Sequence, residues 1–134
     1  MRNEEKYRRN MRCLDKWMTN REKGKWIGDY FDTCQFQRVG IYGYGLLGKH
    51  LVRELRKKHF HISWVMDKTS SGDEACSSIS RPDNINELEN VDMVIITSLA
   101  NVEEIEAFLL EHGMNKVISI EELTDSIYGW RNQN

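Results

Sequence analysis

Three glycines in the first half of the chain constrain the fold more than any other feature. Gly43, Gly45 and Gly48 have the spacing G-x-G-x-x-G and follow the short apolar segment Val39–Tyr42. In such a strand-to-helix turn, the first glycine permits the tight turn and the second lets backbone N–H groups approach a pyrophosphate. The third glycine lets the helix pack closely against the strand. The motif therefore predicts a nucleotide site at the start of a helix.

The residues that follow the glycines support this interpretation. Apolar side chains recur at helical spacing after the loop, at Leu47, Leu51, Val52 and Leu55. A second apolar segment, Ile62–Met66, ends at Asp67, which comes 24 positions after Gly43. An acidic residue about 20 positions after the first glycine typically accepts hydrogen bonds from an adenosine ribose. If a dinucleotide binds, Asp67 favours NAD over NADP, because its carboxylate would repel a 2′-phosphate; Lys68 would weaken that preference.

Structural explanations of the same residues stay open beside the ligand interpretation. The glycines can serve only to pack a helix on a sheet, and Asp67 can be a turn or capping residue. Tyr44 either contacts a ligand or faces solvent. Thr97 and Ser98, which end an apolar strand, either line the ligand or cap the next helix. The predicted cofactor-binding residues are Gly43, Tyr44, Gly45, Leu46, Leu47, Gly48, Asp67, Lys68, Thr97 and Ser98.

The rest of the chain alternates predicted strands and helices, which is typical of an α/β protein. The continuous β-branched run Val91–Ile96 predicts a strand covered on both faces of a parallel sheet. We expect a short third strand within residues 75–80, a fifth strand at Lys116–Ile120, and helices after the fourth and fifth strands. These elements predict a doubly wound, Rossmann-like, five-stranded parallel sheet with strand order 3-2-1-4-5. Residues 36–134 would form this domain, and residues 1–35 an N-terminal helical arm.

The arm differs from the rest of the chain in charge. Residues 1–26 carry nine Lys or Arg against four Asp or Glu, whereas the remainder carries ten against seventeen. An apolar stripe at Tyr7, Met11, Leu14 and Met18, enlarged by Trp17, predicts an amphipathic helix whose seam is buried. We expect this helix to dock on the acidic body of its own chain, of a second copy in a homodimer, or of a neighbouring domain. Nucleic acid is the less favoured partner.

Composition sets the remaining bounds. A chain of 134 residues with net charge −2 is long enough for one core, and it has no apolar run of membrane-spanning length. The polar, basic first residues lack the pattern of a secretory signal, which predicts a cytoplasmic protein without a membrane partner. The three cysteines lack the spacing of a metal or redox site, and we predict no metal-binding residues.

The ordered motifs together resemble a known type of domain. Their order resembles that in small Rossmann-type modules of bacterial sugar and polysaccharide biosynthesis proteins, such as nucleoside-diphosphate-sugar epimerase-like and dehydratase-like proteins. The segments that carry the resemblance are Trp17, Gly24-Lys25, Val39–Gly48, Asp67, Val91–Thr97 and Val117–Leu123. The resemblance covers residues from about 15 to 128. It implies that the glycine loop and Asp67 hold NAD or a nucleotide sugar, bordered by Thr97 and Ser98.

The catalytic pair of the related epimerases is missing from the sequence. Those enzymes use a Tyr-x-x-x-Lys pair to move a proton, but none of the five tyrosines here is followed by Lys four residues later. We therefore predict no catalytic residues and favour a nucleotide-binding module without a complete active site of its own. Two alternatives stay open, namely a structural or interaction domain that binds no cofactor, and a small NAD-dependent oxidoreductase or epimerase-like enzyme.

Overall fold

The computed structural model describes residues 2–131. Met1 and residues 132–134, which belong to the two ends of the predicted domains, lie outside the described residues. Two short 3₁₀ turns, Pro82–Glu87 and Leu99–Asn101, accompany the main elements. Those elements, in chain order, are α1 (Asn3–Glu22), α2 (Ile27–Thr33), β1 (Val39–Tyr42), α3 (Leu46–Lys57), β2 (Ile62–Met66), β3 (Met93–Ile96), α4 (Val102–Glu111), β4 (Val117–Ser119) and α5 (Ile120–Tyr128).

The sheet is entirely parallel and has β1 near its centre. Its order is β2-β1-β3-β4, with Ile41 of β1 opposite Val65 of β2 on one side and Ile95 of β3 on the other. The predicted α/β parallel-sheet class is confirmed, but the predicted five strands in order 3-2-1-4-5 are wrong. The chain steps outward from β1 to β2 and then returns to the other side of β1. The order therefore reverses between β1 and β3, which places a crevice at their carboxyl ends.

The strand expected within residues 75–80 is reduced to one bridge. Ser80 lies at the correct edge, donating its N–H to Val65 O at 2.8 Å and accepting from Asp67 N at 3.0 Å. The residues before Ser80 are bent instead into a turn, because the Asp73 carboxylate accepts the N–H groups of Ala75 and Cys76. A serine-rich segment with a single β-branched residue also has weak strand propensity. Local side-chain bonds therefore replace a fifth ladder.

Helices cover both faces of the sheet. On one face, Ile41 and Ile95 pack in a cluster with α3 and α5. On the other face, Val94 and Ile96 pack with Ile105 and Leu109 of α4. The alternation along β3 follows from the two-residue side-chain period of a strand. Buried residues of α1 and α2 join the first cluster, namely Cys13, Trp17, Ile27 and Phe31.

Helix α1 docks on its own chain through a face that shares only Trp17 and Leu14 with the predicted apolar surface. Tyr7, Met11 and Met18 are 62%, 70% and 61% exposed, and Leu14 is half-buried. The buried residues of α1 are instead Cys13, Trp17 and Asn20. Burial raises the pKa of the Cys13 thiol to about 11. The predicted seam is therefore wrong at Tyr7, Met11 and Met18 but confirmed at Trp17, and the buried face also contains residues with polar partners on other helices.

One of these partners is Glu54, a carboxylate buried inside the domain. Its Oε1 accepts the indole N–H of Trp17 at 2.7 Å and an N–H of Arg21 at 3.1 Å, and its Oε2 accepts Ile27 N at 2.8 Å. Glu54 thus ties α1 and the start of α2 to α3. The sequence contained a signal for it, since Glu54 lies seven positions after Leu47, within the apolar stripe of α3.

Acidic residues of α5 hold the remaining length of α1. Lys16 Nζ lies 2.6 Å from Asp125 Oδ1, and Asn20 donates to Thr124 O at 3.1 Å. The Arg9 guanidinium pairs with Glu121 and also donates to Leu99 O at 3.1 Å. Because Leu99 comes two residues after Thr97, this last bond fixes the N-terminal half of α1 next to the carboxyl end of β3.

Candidate functional site

The loop between β1 and α3 depends on two glycines for packing. Gly43 has φ +116°, and a Cβ at this position would lie 2.4 Å from Thr97 Oγ1. A Cβ at Gly48 would lie 2.0 Å from the backbone oxygen of Gly43. Any side chain at either position would collide with neighbouring atoms. Gly43 therefore permits the turn and Gly48 the close approach of α3, as the motif predicts.

Gly45 differs from the other two glycines of the motif. A Cβ built on Gly45 has no atom within 4 Å, so packing within residues 2–131 does not require a glycine there. Gly45 is the N-terminal flanking residue of α3, and no side chain of the described residues caps this helix. The first N–H groups of a helix lack intrahelical acceptors and carry partial positive charge. The open space at Gly45 thus lies next to donors suited to an anion.

A cleft of about 770 Å³ adjoins Gly45. This volume lies within the range of about 300–1,000 Å³ that is typical of small-molecule sites. Eight of the ten predicted cofactor-binding residues line the cleft, namely Gly43, Gly45, Leu46, Leu47, Asp67, Lys68, Thr97 and Ser98. The two others, Tyr44 in the loop and Gly48 in α3, do not line it. The topology therefore brings the predicted residues of three separate segments together at one edge of the sheet.

Asp67 holds two loops together at this edge. Its Oδ2 accepts Tyr44 N at 2.7 Å, and its Oδ1 accepts the N–H groups of Thr69 and Ser70, both at 2.9 Å. Burial raises the pKa of Asp67, but these three hydrogen bonds lower it more, so that the pKa lies below its usual value. A carboxylate has about four lone-pair positions. Three are occupied by the protein itself, which leaves one on Oδ2 for another donor.

Tyr44 occupies neither of the two positions expected for it. The side chain is only 2% exposed, and its hydroxyl donates to Asp73 Oδ1 at 2.6 Å. Burial, together with this bond to Asp73, raises the pKa of Tyr44 to about 12, so the phenol stays a neutral donor. The bulky residue of the glycine loop therefore points into the core. It joins the glycine loop to the turn that replaces the fifth strand.

Both residues after β3 line the cleft, and neither takes the other role considered for them, that of capping the next helix. Thr97 donates its hydroxyl to Gly43 O at 2.8 Å, so its side chain holds the glycine loop against β3. Ser98 lines the cleft, and its side chain does not cap the short 3₁₀ turn that follows. Lys68, which also lines the cleft, is exposed. Of these three, Ser98 and Lys68 have side chains without a described role in holding the loop.

Helix α1 contributes a wall of the cleft that the motif did not predict. Lys6, Tyr7, Asn10, Met11 and Leu14 all line it. The sequence marked part of this set as apolar but assigned it to a packing seam, since nothing local shows that α1 crosses the carboxyl edge of the sheet. The arrangement offers N–H donors, two lysine ammonium groups and apolar side chains. These are groups that can bind an anionic ligand with an apolar part.

None of the helices within residues 2–131 is both long enough and apolar enough to span a membrane. Compared with protein-family models, with curated proteins and with solved structures, the chain has no significant match.

Proposed function

We propose that this protein binds a nucleotide, either NAD or a nucleotide sugar, with the pyrophosphate at the N-terminus of α3. The observation that carries the proposal is Gly45. Packing explains the glycines at positions 43 and 48, whereas a Cβ built on Gly45 would have no non-neighbouring atom of residues 2–131 within 4 Å. A glycine in that position gives a ligand room to approach the backbone, which is the role of the second glycine in a dinucleotide-binding loop.

Charge and position support an anionic ligand. The uncapped N-terminus of α3 faces the end of the sheet at which the strand order reverses, and ligands of open α/β sheets bind at such points. Lys6 and Lys68 line the same cleft, beside the carboxylates of Asp67 and Glu104, and either ammonium group can pair with a phosphate. Both features suit a pyrophosphate. They do not depend on what is attached to it.

We further propose that NAD is preferred over NADP. The free lone pair on Asp67 Oδ2 can accept one ribose hydroxyl, whereas a 2′-phosphate would be repelled by the carboxylate. We place the protein among carbohydrate-related and polysaccharide-related modules because of the sequence resemblance alone. In that interpretation it supplies nucleotide binding to a larger system and has no complete active site of its own.

A second function is favoured by a different observation. Asp67, Thr97 and Tyr44 all direct their polar groups to other parts of the protein. A domain that retained the sheet without a ligand would use these groups in the same way. The alternative is therefore a structural or interaction domain that binds no cofactor.

Calorimetric titration of the protein with NAD, NADP and UDP-glucose separates these functions. We expect NAD to bind more tightly than NADP, and Gly45→Val to abolish binding because its side chain would fill the space of the pyrophosphate. Gly129→Val is the matched control, since a Cβ there comes no closer than 3.9 Å to other atoms and Gly129 does not line the cleft. Thermal melting of each variant checks that the fold is retained.

Each result of this titration decides a specific point. Unchanged binding in Gly45→Val would place the ligand elsewhere, and tighter binding of NADP would show that Asp67 does not face the ribose. If none of the three nucleotides binds at millimolar concentration, the cofactor-free domain is the better description.

A further inference from the structure

We propose that helix α1 makes this cleft selective for a dinucleotide, because its apolar wall accepts a flat heteroaromatic ring in place of a sugar. This inference rests on the proposed nucleotide-binding function and decides between the two ligand classes left open by it. Tyr7 and Met11 of α1 and Phe108 of α4 are the side chains on which it depends. All three line the cleft that contains Gly45.

The apolar wall is fixed in place. Arg9, two residues after Tyr7, is half-buried, pairs with Glu121 and donates to Leu99 O at 3.1 Å. On the opposite helix, the Phe108 ring packs edge-on against Tyr42, with 6.4 Å between ring centroids and 74° between ring planes. The two sides of the cleft are therefore attached to the body of the domain, and neither has to move into place.

The apolar side chains that α1 contributes to the wall are unusually exposed to solvent. Tyr7 and Met11 are 62% and 70% exposed although α1 buries another face of the same helix. Exposed apolar side chains that line a concave site are typical of ligand contacts. Leu46, next to Gly45, is 53% exposed and lines the same cleft. Apolar surface thus runs from the proposed pyrophosphate position to α1.

The surfaces on the two sides of α1 differ in polarity, and this difference indicates which ligand class fits the cleft. The cleft has a mostly apolar surface, whereas the groove on the other side of α1, bordered by Arg12, Glu103 and Glu122, has polar and apolar surface in nearly equal parts. A sugar placed against Tyr7, Met11 and Phe108 exchanges hydrogen bonds with water for contacts with side chains that, apart from the tyrosine hydroxyl, offer no strong donor or acceptor, which is unfavourable. A flat heteroaromatic ring such as nicotinamide gains contacts with tyrosine, phenylalanine and methionine side chains. The ammonium group of Lys6 can bind the pyrophosphate of a dinucleotide or of a nucleotide sugar.

NAD and ADP-ribose are the probes for this proposal, since a hydroxyl group in ADP-ribose takes the place of the positively charged nicotinamide ring of NAD. For the wild-type protein we expect NAD to bind about fivefold or more tightly than ADP-ribose, from the typical contribution of stacking on an aromatic side chain. UDP-glucose should bind more weakly than NAD. In Tyr7→Ala and Met11→Ala, the affinity for NAD should fall towards that for ADP-ribose, while the affinity for ADP-ribose stays unchanged.

Met18→Ala is the matched control. Met18 is 61% exposed on the same helix but does not line the cleft, so this variant should keep the wild-type ratio of the two affinities. Circular dichroism of all variants verifies that α1 stays folded.

The outcomes separate this inference from the proposed function. Equal affinities for NAD and ADP-ribose, tighter binding of UDP-glucose, or an equal loss of both ligands in Tyr7→Ala would overturn the role of α1. The proposed function would survive any of these results if Gly45→Val still weakens ADP-ribose. Failure of NAD, ADP-ribose and UDP-glucose to bind would overturn both.

Discussion

The glycine loop and helix α1 differ in what holds them in place. In the glycine loop, backbone atoms make most of the contacts, since Gly43 and Gly48 allow close approach and Asp67 accepts three backbone N–H groups. In α1, side chains make the contacts. Trp17 reaches a carboxylate 37 residues away in the sequence, and Arg9 reaches one 112 residues away.

This difference explains why one region is more predictable than the other. A loop held by backbone geometry needs particular residues at particular spacings, and such spacings are visible in the sequence. A helix held by side-chain partners has several faces on which it can dock. Its apolar stripe is only one influence on the choice, and in α1 the polar contacts of Arg9, Trp17 and Asn20 add to it.

Removing Glu54 tests the side-chain attachment and has the largest expected effect. In Glu54→Ala, the indole N–H of Trp17 and the backbone N–H of Ile27 lose their acceptor inside the core. We expect a loss of about 3–5 kcal/mol in the free energy of unfolding, measured by urea denaturation. Arg53→Ala, at the exposed neighbouring position, is the control and should change stability little. A loss below about 1 kcal/mol would mean that α1 is held mainly by its other contacts.

Gly48→Ala tests the backbone attachment of the loop. The added Cβ would meet Gly43 O at 2.0 Å, and we expect a loss of about 1–3 kcal/mol from overpacking. Helix propensity alone favours alanine over glycine in α3, so any destabilisation reports the close contact. Gly45→Ala is the control, because its Cβ would enter open space. Equal stability of the two variants, measured by urea denaturation, would contradict the different roles assigned to these glycines.

Asp67→Asn tests the carboxylate that joins the two loops. We expect a loss of about 1 kcal/mol at neutral pH, since the hydrogen bonds lose their charge and the site is partly screened by solvent. The pKa of Asp67 is lower in the folded state, so its contribution is present above the unfolded-state pKa and disappears as pH falls below about 4. Urea denaturation at pH 7 and pH 3 should therefore show the difference between wild type and variant shrinking on acidification. If the difference in the free energy of unfolding stays constant with pH, the loss comes from the changed shape of the side chain and not from its charge.

Self-association through the apolar stripe that is left exposed on α1 is the smallest effect that we predict. Tyr7, Met11 and Met18 keep an apolar surface available while the cleft holds no ligand, and we predict weak self-association of the ligand-free protein as a symmetric dimer. Sedimentation velocity over a range of concentrations should detect the dimer in the full chain, and Met18→Asp should weaken it. A full chain that stays monomeric throughout would refute dimerisation through α1.

Much of the fold is accessible from sequence because its signals are local. The apolar runs that become β1, β2, β3 and β4 and the helical periodicity of α3 and α4 are present within short windows. The failures concern contacts between distant segments. Residues 75–80 have some strand character, but Asp73 and Tyr44 draw the preceding residues into a turn, and only Ser80 pairs with β2.

The amino-acid sequence by itself determined the position of the glycine loop, the parallel α/β class and the location of Asp67 at the end of β2, because backbone geometry and side-chain periodicity act over a few residues. Tertiary structure alone decided which face of α1 is buried, that Tyr44 points inward, and that Asp67 bonds to two loops. These outcomes depend on partners brought together by the fold. It also decided that Tyr7 and Met11 line the same cleft as Gly45, since the position of α1 depends on the distant partners of its Trp17 and Arg9, namely Glu54, Leu99 and Glu121.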